Sequence, residues 1–501
     1  MTGNGIMIDM QDSSEIGRYI KSAAHRRYDR YLFSMCGLAG LLYGIDMGLI
    51  AAALPYIKET CSFSPAQLSS IVAAVLLGGI PGKALSAFVA ERWGRLAAFR
   101  LCGVVFAIAV PLICFSGGVF GIMLAGRLLQ GVGCAFVGIS GPLYLAECVD
   151  AKDRGKGTGM IQLVLTVGLV VAALVGLVVT KMTGSASSPD VTIAAKTAAW
   201  QAIFWVSLVP TFALFIGSFW LKDSPRWLFK KGRRADARVS LLMNNDADSA
   251  DGILAELDAN AAAETAAAAD GSSAKETLLQ RKYLMPLALA CAVSFFTQAS
   301  GINSVMNYSV VIMQKAGLSG TGANWADTAI KLTNFLMTIV AIALVDRRGR
   351  KFLLMLGASG ITLGLSFVGA VFFALARGWI APGATAGTLA AAGFVLFIAS
   401  FAVGPGVCVW LANSELLPLR IRAGGMMVSG FVNMGTGWFL AQVFLPWSGA
   451  CGESGVFLTL AGVAVLFFFT VMLFLPETKG RTLEEIERKW SGGKASGDVS
   501  R

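Results

Sequence analysis

The chain has 501 residues, of which 55% are apolar and 14% are charged, whereas an average soluble protein carries about 25% charged residues. A soluble core would leave too few polar side chains to cover its surface, but a bilayer accepts apolar side chains on the outside. Composition therefore excludes an ordinary soluble enzyme and favours an integral membrane protein. At about 20 residues per crossing, a dozen helices take roughly half of the length, so no second globular domain of normal size fits.

Charge and cysteine content exclude three further classes. The net charge of +11 comes from basic residues that lie between apolar runs, not in an aromatic-studded patch, so we expect no nucleic-acid partner. His25 is the only histidine, which argues against a His-based metal site or a Ser-His-Asp triad. No close CxxC pair occurs among the nine cysteines, so we interpret them as small buried apolar residues. We expect no metal and no cofactor.

Twelve apolar runs follow one another, each long enough to cross a membrane as a helix. They lie at about 31–54, 67–90, 97–116, 119–146, 157–181, 198–221, 284–313, 326–345, 352–376, 385–413, 423–446 and 456–475.

These runs predict five regions. Residues 1–30 form a tail without the apolar h-region of a removable signal peptide, 31–221 a six-helix bundle, 222–283 a central insert, 284–475 a second six-helix bundle, and 476–501 a second tail. The insert mixes charge with an Ala-rich stretch, which suits short interfacial helices or a mobile linker equally well.

The connections between runs alternate in charge. Those that follow the even-numbered runs carry most of the basic residues, including Arg92, Arg95, Lys152, Arg154, Lys156, Arg347, Arg348, Arg350, Lys351, Arg420 and Arg422. By the positive-inside rule, both tails and the insert are cytoplasmic.

The two halves repeat the same charged patterns in the same order. The string ERWGR after the second run is echoed by DRRGR after the eighth, and Glu147 precedes Arg154 by seven residues as Glu415 precedes Arg422. A third echo pairs SPRWLFKKGR at Ser224 with PETKGR at Pro476. Two parallel six-helix repeats imply a pseudo-two-fold axis along the membrane normal, with a site between the halves near the midplane.

Charged side chains inside apolar runs are candidates for function, because an ion at membrane depth is costly. Asp46 lies in the first run and Arg127 early in the fourth. If they face each other, Arg127 holds the deprotonated Asp46, and protonation frees Arg127 to find another acceptor such as Glu147. The alternatives are a pair that only locks helix packing, or an Arg127 that extends to the membrane interface.

Uncharged polar groups at membrane depth are the candidates for ligand binding, because amides both donate and accept and so suit neutral polyols better than ions. They are Gln162, Gln298, Asn303, Asn307, Asn334 and, for stacking on a sugar ring, Trp410. A helix broken near Gly301 would turn the amides of the seventh run inward. Helix-to-helix hydrogen bonding and core filling are the alternatives.

The charged turns predict a gate network that stabilises one conformation by ion pairing and helix capping, without touching substrate. Its expected members are Glu91, Arg92, Arg95, Arg154, Asp346, Arg347, Arg350, Glu415 and Arg422.

Seven motifs in this order resemble the sugar porter family of the major facilitator superfamily over nearly the whole chain. They are GRLLQGVG at Gly126, PLYLAE at Pro142, DSPRWL at Asp223, QASGIN at Gln298, DRRGRK at Asp346, GPGVCVW at Gly404 and PETKGRTLEEIE at Pro476. The resemblance implies twelve transmembrane helices in two pseudo-symmetric bundles that rock around a central monosaccharide or polyol site. Carried over position by position, it implies substrate contacts by Gln162, Gln298, Asn303, Asn334 and Trp410.

The resemblance also bears on coupling and on specificity. Proton symporters of the family carry an acidic residue at the position of Asp46, where facilitative carriers commonly have Asn. Thr297, Asn307 and Met434 stand where Gln, Tyr and an aromatic residue are usual, and the first charged turn departs at Ala87, Glu91 and Leu96. The cargo therefore need not be glucose or xylose.

The sequence predicts a secondary transporter of the cell membrane, not an enzyme, which works as a monomer among membrane lipids and imports a monosaccharide or polyol with H⁺. A uniporter or an efflux carrier for another small polar solute is the alternative, and Na⁺ is not excluded as the ion. A non-transporting sensor fits less well. An ATP-driven pump does not fit, because no phosphate-binding loop surrounds Lys83.

Overall fold

The structure is a computed structural model of the chain. It describes residues 23–149, 154–269, 280–418 and 421–477. Most of the two expected tails, residues 1–22 and 478–501, therefore lies outside the described residues.

Residues 23–217 of the first half are almost entirely helical apart from short connections and the undescribed residues 150–153. The helices are α1 (Ala23–Thr60), α2 (Pro65–Trp93), α3 (Arg95–Cys114), α4 (Phe120–Cys148), α5 (Arg154–Thr183), α6 (Ile193–Trp205) and α7 (Leu208–Gly217), with a 3₁₀ turn at Ser218–Trp220. The α6 and α7 helices together make the sixth crossing.

The described part of the central insert, residues 222–269 and 280–283, contains three helices, α8 (Pro225–Lys230), α9 (Arg234–Leu241) and α10 (Ala247–Ala269). They pack around the buried side chains of Trp227 and Leu241 and are tied to the first half by the Trp227 indole, which donates to the Glu91 carbonyl at 2.9 Å. We refer to the end of the bundle that carries α8–α10 as the insert end, and to the other as the opposite end.

The second half contains broken and bent helices as well as continuous ones. They are α11 (Arg281–Ala299), α12 (Ile302–Lys315), α13 (Gly320–Arg348), α14 (Arg350–Ala376), α15 (Ala384–Val403), α16 (Pro405–Leu416) and α17 (Arg422–Phe474). The α11–α12 and α15–α16 pairs are the seventh and tenth crossings.

The described residues supply 11 helical spans that are long and apolar enough to cross a membrane, and the last runs for 51 residues from Gly424 to Phe474. That length is more than twice what one crossing needs. Non-helical backbone at Gly452 (φ 71°, ψ 164°) divides it into two arms, which complete the twelve expected crossings. The predicted all-α membrane fold is confirmed.

Small residues let the helices approach closely, as is usual where lipid provides no hydrophobic drive for association. At Gly44 of α1, an added Cβ would lie 1.9 Å from the Leu165 carbonyl oxygen of α5. Between the halves, α5 contacts α13, α2 contacts α17, and α1 contacts α12. These seams place α1, α12 and α13 around the centre of the molecule.

Candidate functional site

Asp46 lies in the interior of the first bundle, where its side chain is 1% exposed. Its Oδ2 accepts a hydrogen bond from the Cys134 thiol of α4 at 3.3 Å. Its Oδ1 is buried and has no hydrogen-bond partner among the described residues. Burying a carboxylate with one oxygen left without a hydrogen bond is costly while the group carries its charge.

Arg127 is also 1% exposed, and within the described residues its guanidinium hydrogen-bonds to groups other than the Asp46 carboxylate. Its Nε donates to the Ile71 carbonyl at 3.3 Å and one terminal nitrogen donates to Gln130 Oε1 at 2.7 Å. The guanidinium also lies 5.5 Å from the centre of the Phe204 ring. Arg127 is thus held by α2 and by its own helix, independently of the charge on Asp46.

Glu147 lies far from this pair. It accepts two hydrogen bonds, both at 2.7 Å, from the Arg95 guanidinium at the insert end. Arg127 and Glu147 are 20 residues apart on α4, or about 30 Å. The expectation that Glu147 accepts from Arg127 is therefore corrected: in this structure Glu147 belongs to the charged network at the insert end.

The break in the seventh crossing is present where it was expected. Gly301 adopts a left-handed conformation (φ 84°), which favours glycine, between the end of α11 and the start of α12. Across it, Asn303 Nδ2 donates to Gln298 Oε1 at 2.7 Å, and Gln298 Nε2 donates to Asn433 Oδ1 of α17 at 3.1 Å. Asn433 Nδ2 in turn donates to the Ser294 carbonyl at 3.2 Å. The result is a chain of three amides around the broken helix.

The remaining expected binding residues lie on other helices, and no hydrogen bond within the described ranges joins them to the amide chain. Gln162 on α5 is exposed, Asn334 on α13 is half-buried, and Asn307 on α12 is buried. Trp410 on α16 is 41% exposed, and the Lys83 ammonium of the first half lies 5.9 Å from its ring centre. The structure thus brings Gln298 and Asn303 together, and leaves the other four side chains separate.

Four buried polar residues, Cys134, Asn433, Asp327 and Lys331, are not among those that the sequence predicts for the site. Cys134 is predicted to be a small apolar residue, but it donates to Asp46. Asp327 and Lys331 form an ion pair in α13 at 2.8 Å with both side chains 0% exposed. The sequence pattern that could have predicted this pair is two opposite charges four residues apart inside the apolar run at 326–345.

The charged turn of the first half is organised around Arg95. Besides Glu147, its guanidinium donates to the Ala90 carbonyl at 2.8 Å and lies 3.7 Å from Glu91, which also pairs with Lys230 of the insert at 2.9 Å. Arg92 is exposed.

Asp223 closes the same turn. Its carboxylate accepts from the Arg95 amide at 2.9 Å, at the start of α3, and an added Cβ on Gly94 would lie 2.0 Å from its Oδ2. Burial raises the pKa of Asp223, while hydrogen bonds from the backbone of Ser224, Arg95 and Leu96 oppose that rise.

The second half repeats this arrangement. Arg350 pairs with Glu415 at 3.1 Å and donates to the Val345 carbonyl at 3.3 Å. Glu477 accepts from the Arg350 and Lys351 amides at 3.1 and 3.2 Å, so it occupies at the start of α14 the place of Asp223 at α3.

Four further expected members of this network are placed less fully. Arg347 is exposed and interacts with at least one other residue. Arg422 donates from Nε to the Leu417 carbonyl at 3.3 Å. The side chains of Arg154 and Asp346 lie outside what the structure describes.

Several hydrogen bonds join the halves at the opposite end. Gln442 donates to Ser70 Oγ at 2.8 Å, and Asn324 Nδ2 donates to Thr180 Oγ1 at 3.2 Å. These contacts lie near the starts of α2 and α13, at the end where both helices begin. The structure is therefore of a state in which the opposite end is held closed.

Comparison with known proteins decides the family. The model of a family described as "Sugar (and other) transporter" matches residues 33–490. The chain belongs to this sugar transporter family. The resemblance to the sugar porters of the major facilitator superfamily is confirmed, and with it a multi-pass membrane transporter rather than an enzyme.

Relatives in this sugar transporter family cover nearly the whole chain. A probable metabolite transport protein, CsbC of Bacillus subtilis, is 30% identical over 92% of this chain and 94% of its own length. The galactose-proton symporter of Escherichia coli is 30% identical over 97% of this chain and 98% of its own length. The inward-open xylose transporter XylE of Escherichia coli shares the fold, with a TM-score of 0.77 at 23% identity over 92% of this chain and all of its own.

Proposed function

We propose that this sugar transporter imports a monosaccharide or polyol together with H⁺ by alternating access. The observation that carries the proposal is Asp46, a buried carboxylate inside the first bundle of a sugar transporter fold, with one oxygen that has no hydrogen-bond partner in the part of the chain that the structure describes. Two relatives are named as galactose-proton and arabinose-proton symporters. Proton entry onto Asp46 would neutralise a charge that is buried in the same bundle as the Arg127 guanidinium.

The proposed sugar site lies at the broken seventh crossing. The Gln298–Asn303–Asn433 chain offers donors and acceptors that can exchange their mutual hydrogen bonds for bonds to hydroxyl groups. Trp410 offers a partly exposed ring for stacking on the apolar face of a sugar. Gln162, Asn307 and Asn334 are proposed to complete the site from α5, α12 and α13 when the halves approach each other.

Thr297 favours a monosaccharide or polyol whose hydroxyl pattern differs from that of glucose or xylose. Its hydroxyl is buried and donates to the Val293 carbonyl of its own helix at 2.8 Å, so it does not reach the amide chain. Asn307 supplies an amide on the next helix. Hydroxyl recognition would thus depend on Gln298 and its neighbours across Gly301.

We further propose that the insert end faces the cytoplasm of the cell, because most basic connections lie there. Both tails would then be cytoplasmic and the state described here would be closed toward the outside. The Arg95–Glu147 and Arg350–Glu415 pairs would hold each half rigid at the cytoplasmic gate. We expect the transporter to work as a monomer surrounded by membrane lipids.

The experiment is a panel of monosaccharides and polyols added to a weakly buffered, de-energised cell suspension that expresses the protein, with external pH recorded. A cargo that enters with H⁺ makes the medium alkaline, and cells carrying an empty vector give the baseline. Uptake of a radiolabelled sugar without alkalinisation would instead support a uniporter. Failure of every sugar, with export of an unrelated solute, would support the efflux alternative.

A further inference from the structure

An ion pair lies inside the second half at a depth where charges are costly. Lys331 Nζ and Asp327 Oδ2 are 2.8 Å apart on α13, and neither side chain is exposed. Ser309 of α12 donates its hydroxyl to Asp327 Oδ1 at 2.5 Å. Asp327 therefore has partners on both oxygens without help from the first half.

Lys331 has a further partner across the seam. Its ammonium donates to the Gly48 carbonyl of α1 at 3.2 Å. Gly48 is two residues after Asp46 on the same helix. The bond therefore meets α1 at a point about 3 Å along the helix axis from the proposed proton site. A side chain of the second half thereby holds the segment of α1 that carries the proton-binding carboxylate.

Stability alone does not account for this arrangement. Replacing a buried ion pair with well-packed apolar residues is often neutral or even stabilising. The pair is also complete within the second half through Asp327 and Ser309. The bond to Gly48 adds a direct tie between two bodies that must separate at the opposite end during alternating access.

We propose that Lys331, oriented by Asp327, is a positioning residue that latches α1 to the second half while the opposite end is closed. Opening that end would move α13 away from α1, break the bond to Gly48 and leave the ammonium with Asp327. The latch would thus favour the state described here and tie the position of Asp46 to the movement of the sugar-binding half. The consequence for coupling rests on the function proposed above, whereas the latch itself does not.

Two variants separate a latch from a purely structural pair. Asp327→Asn with Lys331→Met removes both charges and leaves no unpaired ion buried. Asp327→Lys with Lys331→Asp keeps an ion pair at the same spacing but moves the ammonium one turn toward the opposite end, away from Gly48. Thr333→Ala is the control, because within the described ranges its hydroxyl donates only to the Ala329 carbonyl of its own helix, α13.

The readout is the distance between spin labels at the opposite end, on Ser187→Cys in the first half and Arg377→Cys in the second, both exposed positions. Exposed Cys451 is replaced with Ser, and the parent without new cysteines gives the background. Loss of one hydrogen bond to a charged group should raise the ratio of open to closed molecules about tenfold in both double variants. The Thr333 control should keep the parent distribution.

The charge-swapped protein keeps an ion pair but has no ammonium at position 331 to reach Gly48. A distance distribution like that of the parent in this variant would therefore overturn the latch. The same holds if the neutral double variant folds and keeps the parent distribution. These distances are measured without sugar or a proton gradient, so they succeed or fail independently of the uptake experiment. Where uptake is present, both variants should accumulate less cargo while retaining exchange, because opening no longer depends on the tie to α1.

Discussion

The Arg95–Glu147 pair provides a quantitative test of the insert-end network. Its two side chains are 8% and 12% exposed and are joined by two hydrogen bonds of 2.7 Å, so removal of either partner leaves a largely buried charge. We expect Arg95→Met or Glu147→Gln alone to lower the free energy of unfolding by about 3 kcal/mol. The double variant should lose much less than the sum, with a coupling energy of about 2 kcal/mol.

Thermal unfolding of the purified protein in detergent measures this cycle. For a body the size of one half, about 3 kcal/mol corresponds to a fall in the melting temperature of about 6 to 12 °C. Arg92→Met, a neighbouring exposed arginine, should leave the melting temperature unchanged. Additive losses in the double variant would refute the pairing as the source of the stability.

Three further outcomes follow from individual contacts. Gly44→Ala should sharply reduce the yield of folded protein in size-exclusion chromatography, because the new Cβ would lie 1.9 Å from the Leu165 carbonyl oxygen. The control is Gly37→Ala, whose Cβ would meet only side-chain atoms at 3.8 Å and which should behave as the parent. Asn433→Ala breaks the amide chain and should raise the KM for uptake about tenfold at unchanged yield. Trp410→Ala should raise the KM by a similar factor, with Trp410→Phe in between, and an unchanged KM in both would remove stacking from the site.

The architecture was predictable because it depends on patterns that repeat along the chain. Apolar runs of crossing length and charged turns in the same order establish the bundles and their two-fold relation. The structure shows the contacts behind that relation, because Asp223 and Glu477 accept hydrogen bonds from backbone amides at the starts of α3 and α14 in the same way. The break at Gly452 was not predictable in the same way, because it depends on the backbone conformation of one residue between the last two apolar runs.

The site was predictable only in part because its partners come from distant positions. The break at Gly301 and the closeness of Gln298 to Asn303 follow from local sequence. The bond from Gln298 to Asn433 joins residues 135 apart, and that from Cys134 to Asp46 joins residues 88 apart. No local pattern specifies such pairs, so Cys134 was mistaken for a packing residue. Glu147 was misassigned because its position along α4 was not weighed against the length of the helix.

Proton coupling through Asp46 is tested by comparing Asp46→Asn with Asp190→Asn, an exposed carboxylate in the connection before α6, in proteoliposomes. Sugar exchange and uphill uptake driven by an imposed proton gradient are measured on the same preparation. We expect Asp46→Asn to retain exchange and lose accumulation, while Asp190→Asn retains both. Continued uphill uptake by Asp46→Asn would contradict proton coupling through this buried carboxylate.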